Sequence, residues 1–219
     1  MTSVDFQERL QARAEPAGLT IPTRLFASLE TYYHLLARWN ARINLTALEL
    51  SPLSDAAVDR LFIEPMSAAR FLPKLPRPSW FDIGSGGGSP AIPLLLASPP
   101  LQLTMVESRQ RKAAFLREAV RTLELAAVVE TQRFEDLPIS EQSRAGLVTA
   151  RAVRVDATFL DTVSKMLCPL GTLALFGVRS IDSNLLSRAC LSPDAQVELL
   201  SGAGQLTLLR HVPRGTRVG

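Results

Sequence analysis

The sequence predicts an α/β fold: a mostly parallel seven-stranded sheet covered by helices, closed by a C-terminal antiparallel hairpin and preceded by a helical N-terminal annex. Three observations predict it. From Ser79 onward short apolar runs alternate with amphipathic stretches, the pattern of parallel strands joined by crossover helices. The first of those runs ends in a glycine cluster, Asp82-Ile83-Gly84-Ser85-Gly86-Gly87-Gly88. Before Ser79 the apolar residues recur every three and four positions, with no convincing strand.

The annex spans residues 1–76. Leu25, Leu29, Tyr32, Tyr33, Leu36 and Trp39 form one helical stripe. Pro22 suits the first turn, with Thr20 or Ile21 near the cap. Asn40 to Thr46 break the pattern. A second helical run goes from Pro52 to about Leu72, with Leu53, Ala57, Leu61 and Met66 on one side. Pro73, Pro76 and Pro78 then make a stiff linker into the second part, residues 77–219. There the expected order is strand Trp80–Ile83, helix Ala91–Ala97, strand Leu101–Val106 and helix Arg109–Leu123, with Ala113, Leu116, Val120 and Leu123 inward. Strands at Ala127–Thr131 and Leu147–Ala150 follow, then helix Asp156–Leu167, strand Thr172–Phe176 and a short helix near Leu185–Cys190. The hairpin Val197–Leu200 with Gln205–Leu209 turns at Gly202–Gly204.

At 219 residues, 47% hydrophobic and 21% charged, the chain can bury a sizeable core. No apolar run approaches the length of a membrane span, and Met1-Thr2-Ser3-Val4-Asp5 does not begin a secretory signal. A cytoplasmic location follows as the expectation. The 24 basic residues exceed the 21 acidic ones by only three, and all but Lys74, Lys112 and Lys165 are arginine, so charge alone leaves a nucleic-acid partner at even odds. Cys168, Cys190, His34 and His211 show no ligand spacing, so no metal site is expected and the cysteines read as ordinary thiols.

The glycine cluster follows a strand and precedes a helix, where a doubly wound sheet binds a nucleotide-like ligand. Its spacing is G-x-G-x-G after Asp82, not the G-x-G-x-x-G of dinucleotide sites, and no P-loop lysine follows. Glu107, 23 residues after Gly84, ends the second strand and can accept hydrogen bonds from two ribose hydroxyls. Together these favour S-adenosylmethionine over NAD, since the former has no pyrophosphate to cradle. A NAD-dependent dehydrogenase remains the alternative enzyme.

Four blocks also resemble one family. Trp39-Asn40-Ala41-Arg42-Ile43-Asn44-Leu45-Thr46 resembles the W-N-x-x-I-N-L-T signature of the glucose-inhibited division protein B family (RsmG). Asp82 to Pro93 resembles its D-I-G-S-G-A-G-F-P-G-I-P. Val106-Glu107-Ser108, Arg111-Lys112 and Phe115-Leu116 resemble its V-E-S…K…F-L, and Val148 to Ala152 its V-T-A-R-A. The resemblance runs in order from about residue 25 to 177 and implies a Rossmann-like class I methyltransferase. It implies transfer of a methyl group from S-adenosylmethionine to N7 of a guanine in 16S ribosomal RNA, on the RNA or the small subunit, by a monomer. Carried across residue by residue, Asp82, Gly84, Gly86, Gly88 and Ser89 would bind the cofactor, Glu107 its ribose, and Phe134-Glu135 its adenine. Arg151 would contact it near the transfer site as the catalytic residue.

The chain departs from the family at three places. Ser89 replaces a bulky residue and Ala91 a glycine. The R-H-x-x-D-S-L segment reads Asp59 to Met66, so its His and Asp-Ser are lost, and Glu64 either replaces the carboxylate or shares the position by accident. An L-K-G reads Leu175-Phe176-Gly177. These losses keep open a non-catalytic, RNA-binding relative.

The RNA-contact candidates are Asn40, Arg42, Asn44, Arg60 and Arg109. Asn40 and Asn44 serve equally well as caps of the helix break. Arg60, Arg70, Lys74 and Arg77 flank the linker. The helix carrying Arg109, Arg111, Lys112, Arg117 and Arg121 reads either as a phosphate-contacting face or as a solvated face paired with Glu118 and Glu124. Arg210, His211, Arg214 and Arg217 form a basic tail. Tyr32, Tyr33 and Trp39, at helical spacing, read more readily as core than as base-stacking groups.

Overall fold

The computed structural model describes residues 2–98, 101–200 and 203–213. Helix α1 (Ser3–Ala14) starts at a capping box in which Thr2 and Asp5 each satisfy the other's amide. Its buried Phe6 stacks on Tyr33 of α2 (Thr23–Ile43), ring centroids 5.3 Å apart. Pro22 occupies the cap position itself, one place later than the sequence suggests, because its extended backbone (ψ 135°) leaves the helix to begin at Thr23. The helix continues past Asn40 to Ile43 and ends where Asn44 turns left-handed at φ 48°.

The second annex run is not one regular helix. It is α3 (Asp55–Val58), a π turn (Asp59–Ile63), α4 (Glu64–Ala68) and a 3-10 turn (Ala69–Phe71). Pro65 accounts for the irregularity, since a proline inside a helix has no N–H to give and crowds the preceding turn. In the π turn the Glu64 amide reaches Asp59 O. The next amide in that register would reach Arg60 O, and Pro65 cannot supply it.

The remaining elements alternate as the sequence predicts. They are β1 (Ser79–Ile83), α5 (Ala91–Ala97), β2 (Gln102–Val106), α6 (Gln110–Thr122), β3 (Ala127–Glu130), β4 (Ala145–Arg151), α7 (Ala157–Met166), β5 (Leu167–Phe176), α8 (Ser183–Arg188), β6 (Leu191–Leu200) and β7 (Ala203–His211). On α6, Phe115 and Ala119 join Ala113 and Leu116 as the buried residues, while Val120 and Leu123 are only partly covered. Strands β5 and β6 start five and six residues earlier than their apolar runs suggest, because pairing with β4 and β7 carries them past Pro169 and Pro193. Part of the predicted hairpin turn lies outside the described residues.

The seven strands lie in the order β3-β2-β1-β4-β5-β7-β6, parallel except for β7, which is antiparallel to both β5 and β6. The order reverses at β1, flanked by β2 and β4, so a crevice opens beyond the carboxyl ends of those strands.

The change in composition near residue 76 is not a break in the core. Phe6, Leu29, Tyr32 and Phe62 of the annex share one cluster with Trp80, Leu103 and Leu116. The opposite face packs Phe81, Val148 and Leu173 under Phe159 and Leu160 of α7. The annex is thus an extra layer over α5 and α6, each large apolar side chain adding about 1.5–3 kcal/mol of burial. Among the described residues no helix is long and apolar enough to cross a membrane.

Candidate functional site

The crevice holds two adjoining hollows that share Gly84. One, of about 270 Å³, is lined by Gly84, Glu107, Ser108, Phe134, Glu135 and Val153. The other, of about 480 Å³, lies between the glycine loop and the annex and is lined by Thr46, Arg60, Gly86, Ser89, Lys112 and Arg151 among others.

Glu107 closes the first hollow. It is 7% exposed at the end of β2, and its two carboxylate oxygens accept from the Gly86 amide (3.0 Å) and the Arg109 amide (2.8 Å). These bonds fix the carboxylate and the glycine loop to each other. Each oxygen keeps a second lone pair, which suits a vicinal diol. Phe134 and Val153 line the same hollow and offer apolar surface for a purine.

The glycine loop is clamped from the annex. Tyr32 Oη donates to Gly87 O at 2.7 Å. Leu36 Cδ1 lies 3.2 Å from where a Cβ on Gly87 would stand. Burial pushes the Tyr32 phenol well above its ordinary range, so it stays a donor. Asn40 Oδ1 accepts from the Leu45 and Thr46 amides at 2.6 and 2.9 Å, folding the segment after α2 back over the second hollow. Of the two candidate roles of Asn40, its carbonyl performs the capping one at the helix break. Asn44 turns left-handed at that break, and Arg42 is exposed on the last turn of α2.

Two predicted cofactor residues stand behind the loop instead of lining either hollow. Gly88, at φ 83°, has its Cα side against Ile92, whose Cδ1 a Cβ would meet at 2.6 Å, so packing on α5 requires it. Asp82 is 1% exposed beneath the loop. Its Oδ1 accepts from Thr149 Oγ1, to which Trp80 Nε1 donates in turn, while Oδ2 is buried without a partner. Burial raises its pKa from 3.8 to about 6.

Arg151 ends β4 with its side chain 8% exposed. Nη2 donates to Glu64 Oε2 at 2.9 Å, and Nη1 donates to Arg60 O and, at 3.4 Å, to Ser89 Oγ. The guanidinium lies 4.8 Å over the Phe176 ring, so the residue standing where the family has lysine is a platform for the arginine. Ser89 Oγ donates to Leu61 O at 3.0 Å and Arg60 O at 3.5 Å. Burial lowers the Arg151 pKa to about 10, still cationic at neutral pH, and its Nε is a buried donor without a partner.

The basic residues sort differently from the sequence expectation. Arg70 donates to Gly18 O and Ala17 O, and Arg77 to the carbonyls of Glu141 and Gln142, so both tie loops together. On α6, Glu118 pairs across to Arg38 and Trp39 of α2 and not within its own helix. Arg117 reaches Thr131 and Val129. Arg109 is exposed and holds Glu107 only through its amide. Lys112 alone of this helix lines the second hollow; a reading of the helix as one face hid it, although it stands three residues after the helix cap. Arg210 pairs with Asp194, His211 is buried against Cys168 O, and Arg214 and Arg217 lie outside the described residues. Tyr33 donates to Leu50 O, and Trp39 packs edge-on to Phe115. Among the described residues no cluster of His, Cys, Asp or Glu could hold a metal ion.

The residues present fit a nucleoside cofactor: a fixed carboxylate and apolar walls in one hollow, and glycine-loop backbone beside the Arg151 side chain in the other.

Comparison with known proteins places these features in company. A family model described as GidB, rRNA small subunit methyltransferase G, matches residues 26–199. Three relatives carry the name Ribosomal RNA small subunit methyltransferase G. That of Polynucleobacter asymbioticus is 32% identical over 174 residues, covering 78% of each chain. That of Paracoccus denitrificans is 38% identical, covering 69% of this chain and 76% of its own. That of Xanthomonas axonopodis pv. citri is 36% identical, covering 80% and 77%. Among solved structures, a SAM dependent methyltransferase from Aquifex aeolicus aligns with TM-score 0.53 at 15% identity over 70% of this chain and 92% of that one. The pyocyanin biosynthetic protein PhzM aligns with TM-score 0.57 at 15% identity over 83% and 62%. At those identities the likeness is one of fold.

Proposed function

The chain belongs to the GidB family of small-subunit ribosomal RNA methyltransferases, and from that premise we propose that it transfers a methyl group from S-adenosylmethionine to N7 of a guanine in 16S ribosomal RNA. The observation that carries this reading is the pair of adjoining hollows, one with the Glu107 carboxylate fixed at the end of β2 and one rimmed by Arg60, Lys112 and Arg151. When bound, S-adenosylmethionine supplies a methyl group activated on a cationic sulfur. Glu107 accepts the ribose hydroxyls, Phe134 and Val153 cover the adenine, with Glu135 beside them, and Gly84 and Gly86 let the methionine end approach the backbone.

Guanine N7 has a lone pair and no proton to lose, so the protein need supply no general base. Its work is alignment. The second hollow, which Arg151 lines, brings the base to the transfer point. Lys112 and Arg60, on the rim, meet the RNA backbone electrostatically, and Arg42 and Arg109 extend that surface. The RNA substrate supports a cytoplasmic location. The Phe176 substitution leaves a cation at the site, since Arg60 lies 3.6 Å from where a Gly177 Cβ would stand.

The test is transfer of a tritiated methyl group to 16S RNA and to small subunits from a strain lacking the modification. Label in that RNA supports the reading. Cofactor binding with no label in any RNA would leave a non-catalytic RNA-binding relative in its place, and NADH binding without binding of the methyl donor a dehydrogenase.

A further inference from the structure

Glu64 and Arg151 form a buried pair at the wall of the second hollow. Glu64 is 4% exposed, and its side chain packs under the β6–β7 hairpin, where a Gly204 Cβ would stand 2.9 Å from its Cγ. It pairs with Arg151 at 2.9 Å and lies 3.9 Å from Arg60. A buried ion pair is a poor device for stability alone, because desolvation of both ions offsets most of their attraction. The surrounding structure nevertheless commits several elements to it. Pro65 frees Arg60 O, Arg151 donates to that carbonyl, and Phe176 lies beneath the guanidinium. The whole arrangement fixes one anion immediately behind one cation at the wall of the second hollow.

The reaction proposed above explains what that anion is for. The methyl donor is a cation at sulfur, and an N7-alkylated guanine is a cation too. An uncompensated guanidinium beside them would oppose both the bound donor and the charge passing to the purine. We propose that Glu64 is a positioning residue that holds Arg151 at the transfer pocket and offsets its charge there, so that the arginine lines the pocket without repelling a sulfonium. This rests on the function proposed above.

The consequence is electrostatic and can be read without turnover. S-adenosylmethionine and S-adenosylhomocysteine differ by one methyl group and one positive charge at sulfur. In Glu64→Gln, which keeps the side-chain shape, affinity for the methyl donor should fall roughly fivefold or more relative to that for S-adenosylhomocysteine. That is the scale of one unit charge acting across a partly solvated pocket. Glu64→Asp, which restores the charge, should return the ratio of affinities to that of the wild type. Arg151→Gln leaves Glu64 facing only the more distant Arg60 and should move the ratio the other way, even as both affinities drop. The double variant Glu64→Gln/Arg151→Gln removes both charges and should keep the wild-type ratio, which keeps the test open even where a single variant fails to fold. Calorimetry on the four variants decides it. Equal weakening of both ligands in Glu64→Gln, or a shifted ratio in the double variant, would overturn the proposal. Failure of the wild type to bind either ligand would instead overturn the functional reading on which it rests.

Discussion

Replacing Asp82 with asparagine should stabilise the protein at neutral pH and leave it no more stable in acid. Asp82 is buried beneath the glycine loop with one carboxylate oxygen unpartnered, and burial lifts its pKa from 3.8 to about 6. A carboxyl whose pKa is higher in the folded chain favours folding when protonated. That contribution is complete below about pH 4 and is lost as pH rises through about 6. At about 1.4 kcal/mol per pH unit, keeping the charge in place at neutral pH costs the folded state about 3 kcal/mol. Asparagine removes the charge and keeps Oδ1 as acceptor for Thr149. Its amide nitrogen in place of the unpartnered oxygen costs about 1–2 kcal/mol. The net gain is about 1–2 kcal/mol at pH 7.5, or about 2–8 °C in melting temperature for a chain of this size. Thermal melts of both proteins between pH 4 and 8 measure it. A variant no more stable than wild type at pH 7.5, or an advantage that stays constant down to pH 4, would refute the reasoning.

Other perturbations separate the two hollows. Glu107→Ala should weaken cofactor binding by about 2–3 kcal/mol, some 30- to 150-fold in Kd, through loss of a charged acceptor; unchanged affinity by calorimetry would remove its ribose role. Gly86→Val should abolish cofactor binding by backbone strain at φ 51°, since a Cβ there meets nothing closer than Gly84 O at 3.6 Å. Its melting temperature should drop by only a few degrees, and normal binding would place the site elsewhere. Tyr32→Phe removes the bond to Gly87 O and should cost about 1 kcal/mol of stability, with a loss of cofactor affinity that a contact remote from the site would not produce. Lys112→Ala should raise KM for RNA while leaving S-adenosylhomocysteine affinity unchanged, and the reverse pattern would contradict its place on the rim.

The glycine loop and Glu107 were legible because local sequence dictates them: a strand, a run of residues able to take positive φ, and an acid where the next strand stops. The strand order was not, because the choice of neighbours depends on packing between segments far apart in the chain. The annex shows the same limit. Its stripe of apolar residues announced helices, but not that Tyr32 would hold the glycine loop or that Asn40 would turn the following segment over the crevice. Pro65 was visible as a helix breaker in principle. That its missing N–H would free a carbonyl for Arg151, 91 residues away in the chain, needed the fold. Charged residues were the least legible, since Arg70, Arg77 and Glu118 are spent on contacts between elements that no local pattern marks. Lys112 was not distinguished from its basic neighbours for the converse reason: periodicity assigned them one face, and only the tertiary packing set its first turn apart.

The central claim is the chemistry of one atom. Small-subunit RNA from a strain lacking the modification, incubated with the protein and labelled S-adenosylmethionine, should yield a labelled nucleoside that mass spectrometry identifies as 7-methylguanosine, from a single position of 16S RNA. Label on another base or another atom of guanine, or label only in a different RNA, would contradict it.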